Sequence, residues 1–230
     1  MLLHNDIVLV EPLVVGRRLL DLIPTAAYWI VIAVSALRIL LGLLLAVASG
    51  LLCAALAARF SWMNTLLWPY VACMKSTPVA SFIILCLVWV STKNLSMLTI
   101  FLICFPIVYA NMYESFVSVD KKMVQMLDIF RVPFLRRLRC LYIPHAMPFF
   151  LSTLKISIGM AFKSGIAAEV IGLPRGTIGS LLYESKIYLN TADMFAWTAT
   201  IIAVSMLLEK LILQLVQQGY RFVLHTRRPQ

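Results

Sequence analysis

Residues 39–58 read ILLGLLLAVASGLLCAALAA, twenty positions without a charged side chain. A helix rises about 1.5 Å per residue and the hydrocarbon layer of a membrane is about 30 Å thick, so about 20 apolar residues cross it. Backbone polar groups in lipid must be satisfied within the segment, which makes the crossing element a helix. Gly42, Ala46, Gly50 and Ala54, continued by Ala58, recur every fourth residue. Small side chains in one row let a second backbone approach closely, so this face predicts a helix–helix contact.

Working outward, the apolar run extends back to Ile23 with Arg38 as its only charge, so 23–58 is one long helix. Arg59 and the polar turn 61–64 end it. A second span is expected over 66–90, interrupted by Lys75 and Pro78, and a third over 95–113 after the turn 91–94. A fourth runs over 146–168 and a fifth over about 194–215. Residues 1–23 mix charges and apolar side chains too finely to span and read as an interfacial segment. Residues 172–193, with Gly172, Pro174, Gly176 and Gly179, read as an extracytoplasmic loop with a short amphipathic piece. The fold class is therefore all-α, a polytopic membrane protein of about five transmembrane helices forming a single domain over 1–230. The first residues lack the pattern of a signal peptide, so no cleavage is expected there.

Composition agrees: 62% of residues are hydrophobic, 13% are charged and the mean hydropathy is +0.92, more apolar surface than a soluble core hides. The net charge of +10 lies in short blocks between apolar runs, which is a topology signal and argues against nucleic acid as a partner. Ten basic residues fall on one side of the expected spans: Arg59, the six of residues 118–142, and Arg221, Arg227 and Arg228. Five (Arg17, Arg18, Lys93, Arg175, Lys186) fall on the other. The 118–142 loop and the C-terminus are expected in the cytoplasm and the N-terminus outside. The five cysteines are scattered, with no C-x-x-C pair, and read as small hydrophobes.

The loop 118–142 is too patterned for a plain connection. Met123, Met126, Leu127 and Phe130 fall at i, i+3, i+4 and i+7, one face of a short helix. Gln125, Asp128 and Arg131 belong to its remainder, and Val132-Pro133 breaks it so that a second short helix starts at Pro133. Such a helix either rests on anionic headgroups or docks into a groove on a cytosolic partner.

Spacing favours the groove. Gln125-Met126-Leu127, Arg131, Leu141 and Ile143-Pro144 stand at the intervals of the cytoplasmic loop of bacterial ABC importer permeases, whose pattern is Glu-Ala-Ala, three residues, Gly, nine residues, Ile, one residue, Leu-Pro. The Glu is Gln125 here, both Ala are larger, and the Gly is Arg131. Further matches are Ser35, Leu37, Arg38 and Gly42, then Pro69, Lys75 and Pro78, and the block from Leu154 through Ala168-Glu169 to Gly176 and Gly179. Over roughly residues 25–218 the chain resembles the nitrate, sulfonate and taurine branch of those permeases. The branch usually has a further N-terminal helix, so five spans are expected here instead of six.

The resemblance implies a transport subunit of the type I importer fold in the bacterial inner membrane. Its partners would be ABC ATPase subunits, a second permease copy in a homodimer, and an extracytoplasmic substrate-binding protein. It also implies that this chain binds no cofactor, ATP and Mg being held by the ATPase, and the chain indeed lacks a G-x-x-x-x-G-K-[ST] loop. Residues 119–131 would couple the two subunits, with Arg136, Arg137, Arg139 and Pro144 anchoring the loop at the membrane or on acidic groups of the ATPase.

Charges within spans cost about 2.5–3.5 kcal/mol each on insertion scales, so Lys155, Lys163 and Glu169 are candidates for the translocation pathway, with Phe162 beside them. Thr153, Ser157, Ala161 and Gly165 form a second row of small residues leading to Glu169. Two other classes compete: a membrane-embedded enzyme and a structural or assembly protein. The enzyme would need clustered catalytic groups, yet His4, His145 and His225 are far apart in the chain and Glu169 has no evident companion.

Overall fold

The computed structural model describes residues 11–225, with side chains followed as far as 221. Helix α1 (Pro12–Leu22) lies ahead of α2 (Ala26–Arg59), α3 (Ser61–Ser76), α4 (Val79–Cys86) and α5 (Thr92–Val117). The loop region holds α6 (Lys121–Ile129) and α7 (Phe134–Arg137). A π-turn over Leu138–Tyr142 then feeds α8 (Ile143–Gly172), which is followed by α9 (Ile178–Ile187) and α10 (Thr191–His225). Residues 1–10 of the expected interfacial segment, and Arg227 and Arg228 of the basic C-terminus, lie outside the described residues.

Three described helices are long and apolar enough to cross a membrane singly: α2, α5 and α10. The second expected span is not a rod. Residues 61–86 form α3 and α4, bent by 102° where Thr77 is extended ahead of Pro78. A residue before proline is driven out of the helical region and the proline offers no amide, so the helix stops there and restarts. The fourth expected span corresponds to α8, whose 30 residues reach about 45 Å and which carries Lys155, Lys163 and Glu169 within its length.

Burial orders the bundle. In its most apolar stretch α5 is 56% buried, α2 33% and α10 only 6%, so α5 stands at the centre and α10 at the edge. Helices α2 and α5 run in the same direction. A Cβ on Gly42 would lie 2.8 Å from the Met97 carbonyl oxygen, and one on Gly50 would lie 2.8 Å from Val108 Cγ1. Glycine is required at both positions because the neighbouring backbone or branched side chain already fills that space. Ala46 and Ala54 are buried in the same seam, whereas Ala58 is exposed and the buried row ends on Ala57. A repeat of four drifts off a 3.6-residue turn, which moves the seam by one position. On the other side of α5, α8 runs in the opposite direction, with Gly165 against Ile100 and Ile39 and Gly172 against Leu95. Tyr109 on α5 donates its hydroxyl to Asn64 Oδ1 on α3 at 2.9 Å.

The bundle thus has two ends. One carries the C-terminal ends of α2 and α5, the start of α8, and α6 with α7 between them. The other carries α1, α9 and the start of α10. Helix α1 has no buried residue and is tied down by Arg18, which bonds both carboxylate oxygens of Asp193 on α10 (Nη2 to Oδ2, 3.1 Å). That hydrogen bonding holds the Arg18 guanidinium above its ordinary value.

Candidate functional site

At the first end, Asp120 caps α6 by accepting from the Lys122 amide at 2.8 Å, a local reason for the helix to begin there. The helix ends at Ile129, and Arg131 takes a left-handed backbone with φ 48°. This is the position where the importer loop pattern has glycine, so the turn is kept by a residue that adopts it at a cost. Val132 and Pro133 follow, and α7 starts behind the proline.

The exposed face of α6 differs from the expected one. Met123 (52% exposed), Met126 (50%) and Phe130 (73%) face outward, but Leu127 is turned inward with Val124 and both are half-buried. Ile129 takes the outward place at 79% exposure. The helix is rotated relative to the pattern because two inward positions, three residues apart, are filled by Val124 and Leu127. Gln125, Asp128 and Arg131 are exposed, as are Arg136 and Arg139, while Pro144 is half-buried in the first turn of α8.

Arg137 is engaged within the loop itself. Its guanidinium pairs with Asp128 of α6 and donates to the carbonyl oxygens of Val132 (Nε, 2.6 Å) and Leu127 (Nη2, 3.4 Å). One side chain thereby fastens the end of α6, the αL turn and α7 into a single piece. Arg137, expected as an anchor of the loop on lipid or on a partner, braces the loop from within.

At the other end the buried polar centre is Glu169, fully buried at 0% exposure. Its Oε2 accepts from Ser35 Oγ at 2.9 Å and from the Gly179 amide at 3.2 Å. Ser35 in turn accepts from the Ile178 amide at 2.9 Å. The first amides of α9 therefore bond to a carboxylate on α8 and a hydroxyl on α2, where the helix dipole favours negative charge. Thr177 and Ser180 close a capping box at the same helix start. A Cβ on Gly179 would lie 2.3 Å from Glu169 Cβ, so only glycine fits where α9 meets α8.

Glu169 therefore belongs to the protein interior and does not pair with Lys163, which lies on a different face of α8. The small-residue row Thr153, Ser157, Ala161 and Gly165 leading to Glu169 is the buried face, and Phe162 is buried beside it at 3% exposure. Lys155 and Lys163 sit on the exposed face with Ser152, Ile156 and Met160. The four pathway candidates grouped in the sequence thus fall on two faces of α8, Phe162 and Glu169 on the buried one and Lys155 and Lys163 on the exposed one. Ser35, Ile178 and Gly179 join Glu169 at this node, and Ser35 and Gly179 stand in the quoted motifs. Among the described residues no group of three His, Cys, Asp or Glu side chains could hold a metal ion.

Apolar helices of membrane-crossing length, a braced amphipathic loop at one end and a buried carboxylate node at the other define a polytopic membrane protein. Residues 39–220 match the family model described as binding-protein-dependent transport system inner membrane component, and the chain belongs to that family. A Haemophilus influenzae protein named as a probable ABC transporter permease is 26% identical over 177 residues, 76% of this chain and 71% of that one. SsuC of Bacillus subtilis, assigned by name to aliphatic sulfonate transport, is 25% identical over 71% of this chain and 59% of its own length. The taurine transport system permease protein TauC of Escherichia coli is 25% identical over 80% and 67%. The chain is thus an ABC importer permease subunit. In such systems a separate subunit carries the ATPase activity and a binding protein delivers the solute.

Proposed function

We propose that this chain couples a cytosolic ATPase to a solute pathway through one continuous element, α8, with α6 as the docking helix. The observation that carries the reading is the braced loop. Exposed Met123, Met126, Ile129 and Phe130 project from α6, and Arg137 fixes that helix to α7, which continues into α8. From Ile143 to Glu169 is about 39 Å of unbroken helix, so displacement at the loop reaches the node at the other end. ATP and Mg belong to the partner, and no cofactor is needed on this chain.

The exposed stripe of α8 supports a pathway lining. Two ammonium groups about 12 Å apart along a span are too costly to face lipid and require water or protein opposite them. A second copy of the chain placed against this stripe in a homodimer encloses that space. The solute is small and polar, and the lysines suit an anion such as those named for the sulfonate and taurine relatives. The basic-residue count puts the loop and C-terminus in the cytoplasm and the N-terminus, α1 and α9 outside, where the binding protein acts. The family's description as an inner membrane component supports a location in the bacterial inner membrane.

Co-purification tests the docking. Replacing Met126→Glu and Phe130→Glu together is expected to release the ATPase from the detergent-solubilised complex while the permease stays folded. Retention of the ATPase at the level of the unaltered protein would refute docking through α6.

A further inference from the structure

The charges around α6 say what kind of surface receives it. Within residues 118–142 the acidic side chains are Asp120 and Asp128, and both are engaged: Asp120 caps the helix and Asp128 holds Arg137. Lys121, Lys122, Arg131, Arg136 and Arg139 are exposed, and all are cations. Their placement is unfavourable for the chain alone. Lys121 and Lys122 occupy the first turn of α6, which holds no acidic residue, so two ammonium groups sit on the positive end of a helix dipole. Arg131 stands at the opposite end of α6, in a backbone conformation where glycine would be less strained. On a helix of nine residues these two positive ends bracket the outward stripe, in which Lys122 lies one turn ahead of Met126 and two ahead of Ile129.

Such an arrangement could serve an anionic bilayer, but two features favour a protein. A helix floating on headgroups gains nothing from a fixed angle to α8, whereas Arg137 ties α6 to α7 through three acceptors. The strongly exposed apolar side chains also continue past α6 into Phe134 (70%) and Leu135 (69%) on α7, around the corner made by the αL turn. A flat lipid surface does not follow a corner.

We propose that the ATPase surface receiving α6 is an apolar groove with carboxylates at both ends, one facing Lys121 and Lys122 and the other facing Arg131. The proposal rests on the docking reading above and adds the chemistry of the partner. Contacts of this kind tune affinity and association through electrostatic complementarity.

The test uses the permease with its own ATPase, reconstituted in nanodiscs of zwitterionic lipid and separately of anionic lipid. The ATPase dissociation constant is measured as salt rises to about 0.5 M, where screening lengths fall to a few ångströms. The expected result in zwitterionic discs is binding that weakens steadily with salt. Lys121→Glu with Lys122→Glu, and separately Arg131→Glu, should each weaken binding by at least about tenfold at low salt. Lys121→Gln with Lys122→Gln, which relieves the helix end without reversing it, should fall in between and serves should the reversed variant fail to fold. Binding that ignores both salt and charge reversal, yet is lost in the Met126→Glu, Phe130→Glu variant, would overturn the carboxylate groove and leave the docking reading intact. If reversal matters only in anionic discs, the cations serve the bilayer and the proposal falls. Should the Met126→Glu, Phe130→Glu variant also keep its ATPase, both readings fall together.

Discussion

Arg131 shows how one backbone angle can carry a functional geometry through a change of residue. Its φ of 48° preserves the turn that ends α6, although a side chain with a Cβ adopts it less readily than glycine. Replacing Arg131→Gly is therefore expected to stabilise the loop by about 1 kcal/mol. Limited proteolysis between residues 120 and 137 should slow in the variant, and faster cleavage there would contradict the assigned strain. The same side chain is one of the two positive ends of α6 that the proposed contact uses.

At the scale of elements, α9 is the clearest case of a helix placed by chemistry outside itself. Its N-terminal half is buried, with Ile178, Gly179 and Ser180 inside, and its first amides are held by Glu169 and Ser35 from two other helices. Glu169→Ala leaves the Ser35 hydroxyl and the Gly179 amide without their acceptor in a buried place, which costs about 1–3 kcal/mol for each group so stranded. Hydrogen exchange should reveal this as faster exchange of the Ile178, Gly179 and Ser180 amides, with the α2 and α5 cores unchanged. Unaltered exchange at those amides would show that the node does not hold α9. This node was only partly legible beforehand. Ser35, Glu169 and Gly179 each stood in a recognised motif, but they lie more than a hundred positions apart at the extreme, and no periodicity brings such distant residues together. The spans were legible because hydropathy over about 20 residues is a local property. The 102° bend at Pro78 was half-legible, since the proline marks a break and not the direction taken after it. On α6 the phase was misread by a fraction of a turn, as four apolar residues suggested one face while Val124 and Leu127 determined which side turned inward.

At the scale of the molecule, α8 separates into a buried face of small residues and Glu169 and an exposed face with Lys155 and Lys163. Cysteine labelling distinguishes them. With the exposed Cys73 and Cys140 replaced, Lys155→Cys and Lys163→Cys should react with a charged, membrane-impermeant thiol reagent in the assembled transporter. Ser157→Cys, on the buried face, should not. Equal reactivity of all three, or none at Lys155→Cys and Lys163→Cys, would remove the stripe as the pathway wall. The outcome is independent of the ATPase and so separates the passage from the engine.

The 30-residue α8 is clamped along α5 and free of any long interruption. A rigid rod that tips about any point along its length moves its two tips in opposite senses, as a see-saw does. With about 45 Å from tip to tip, a tilt of about 10° about the middle shifts each by about 4 Å. If α8 lines the proposed passage, widening at one membrane face accompanies narrowing at the other, as in an airlock whose two doors share one bar.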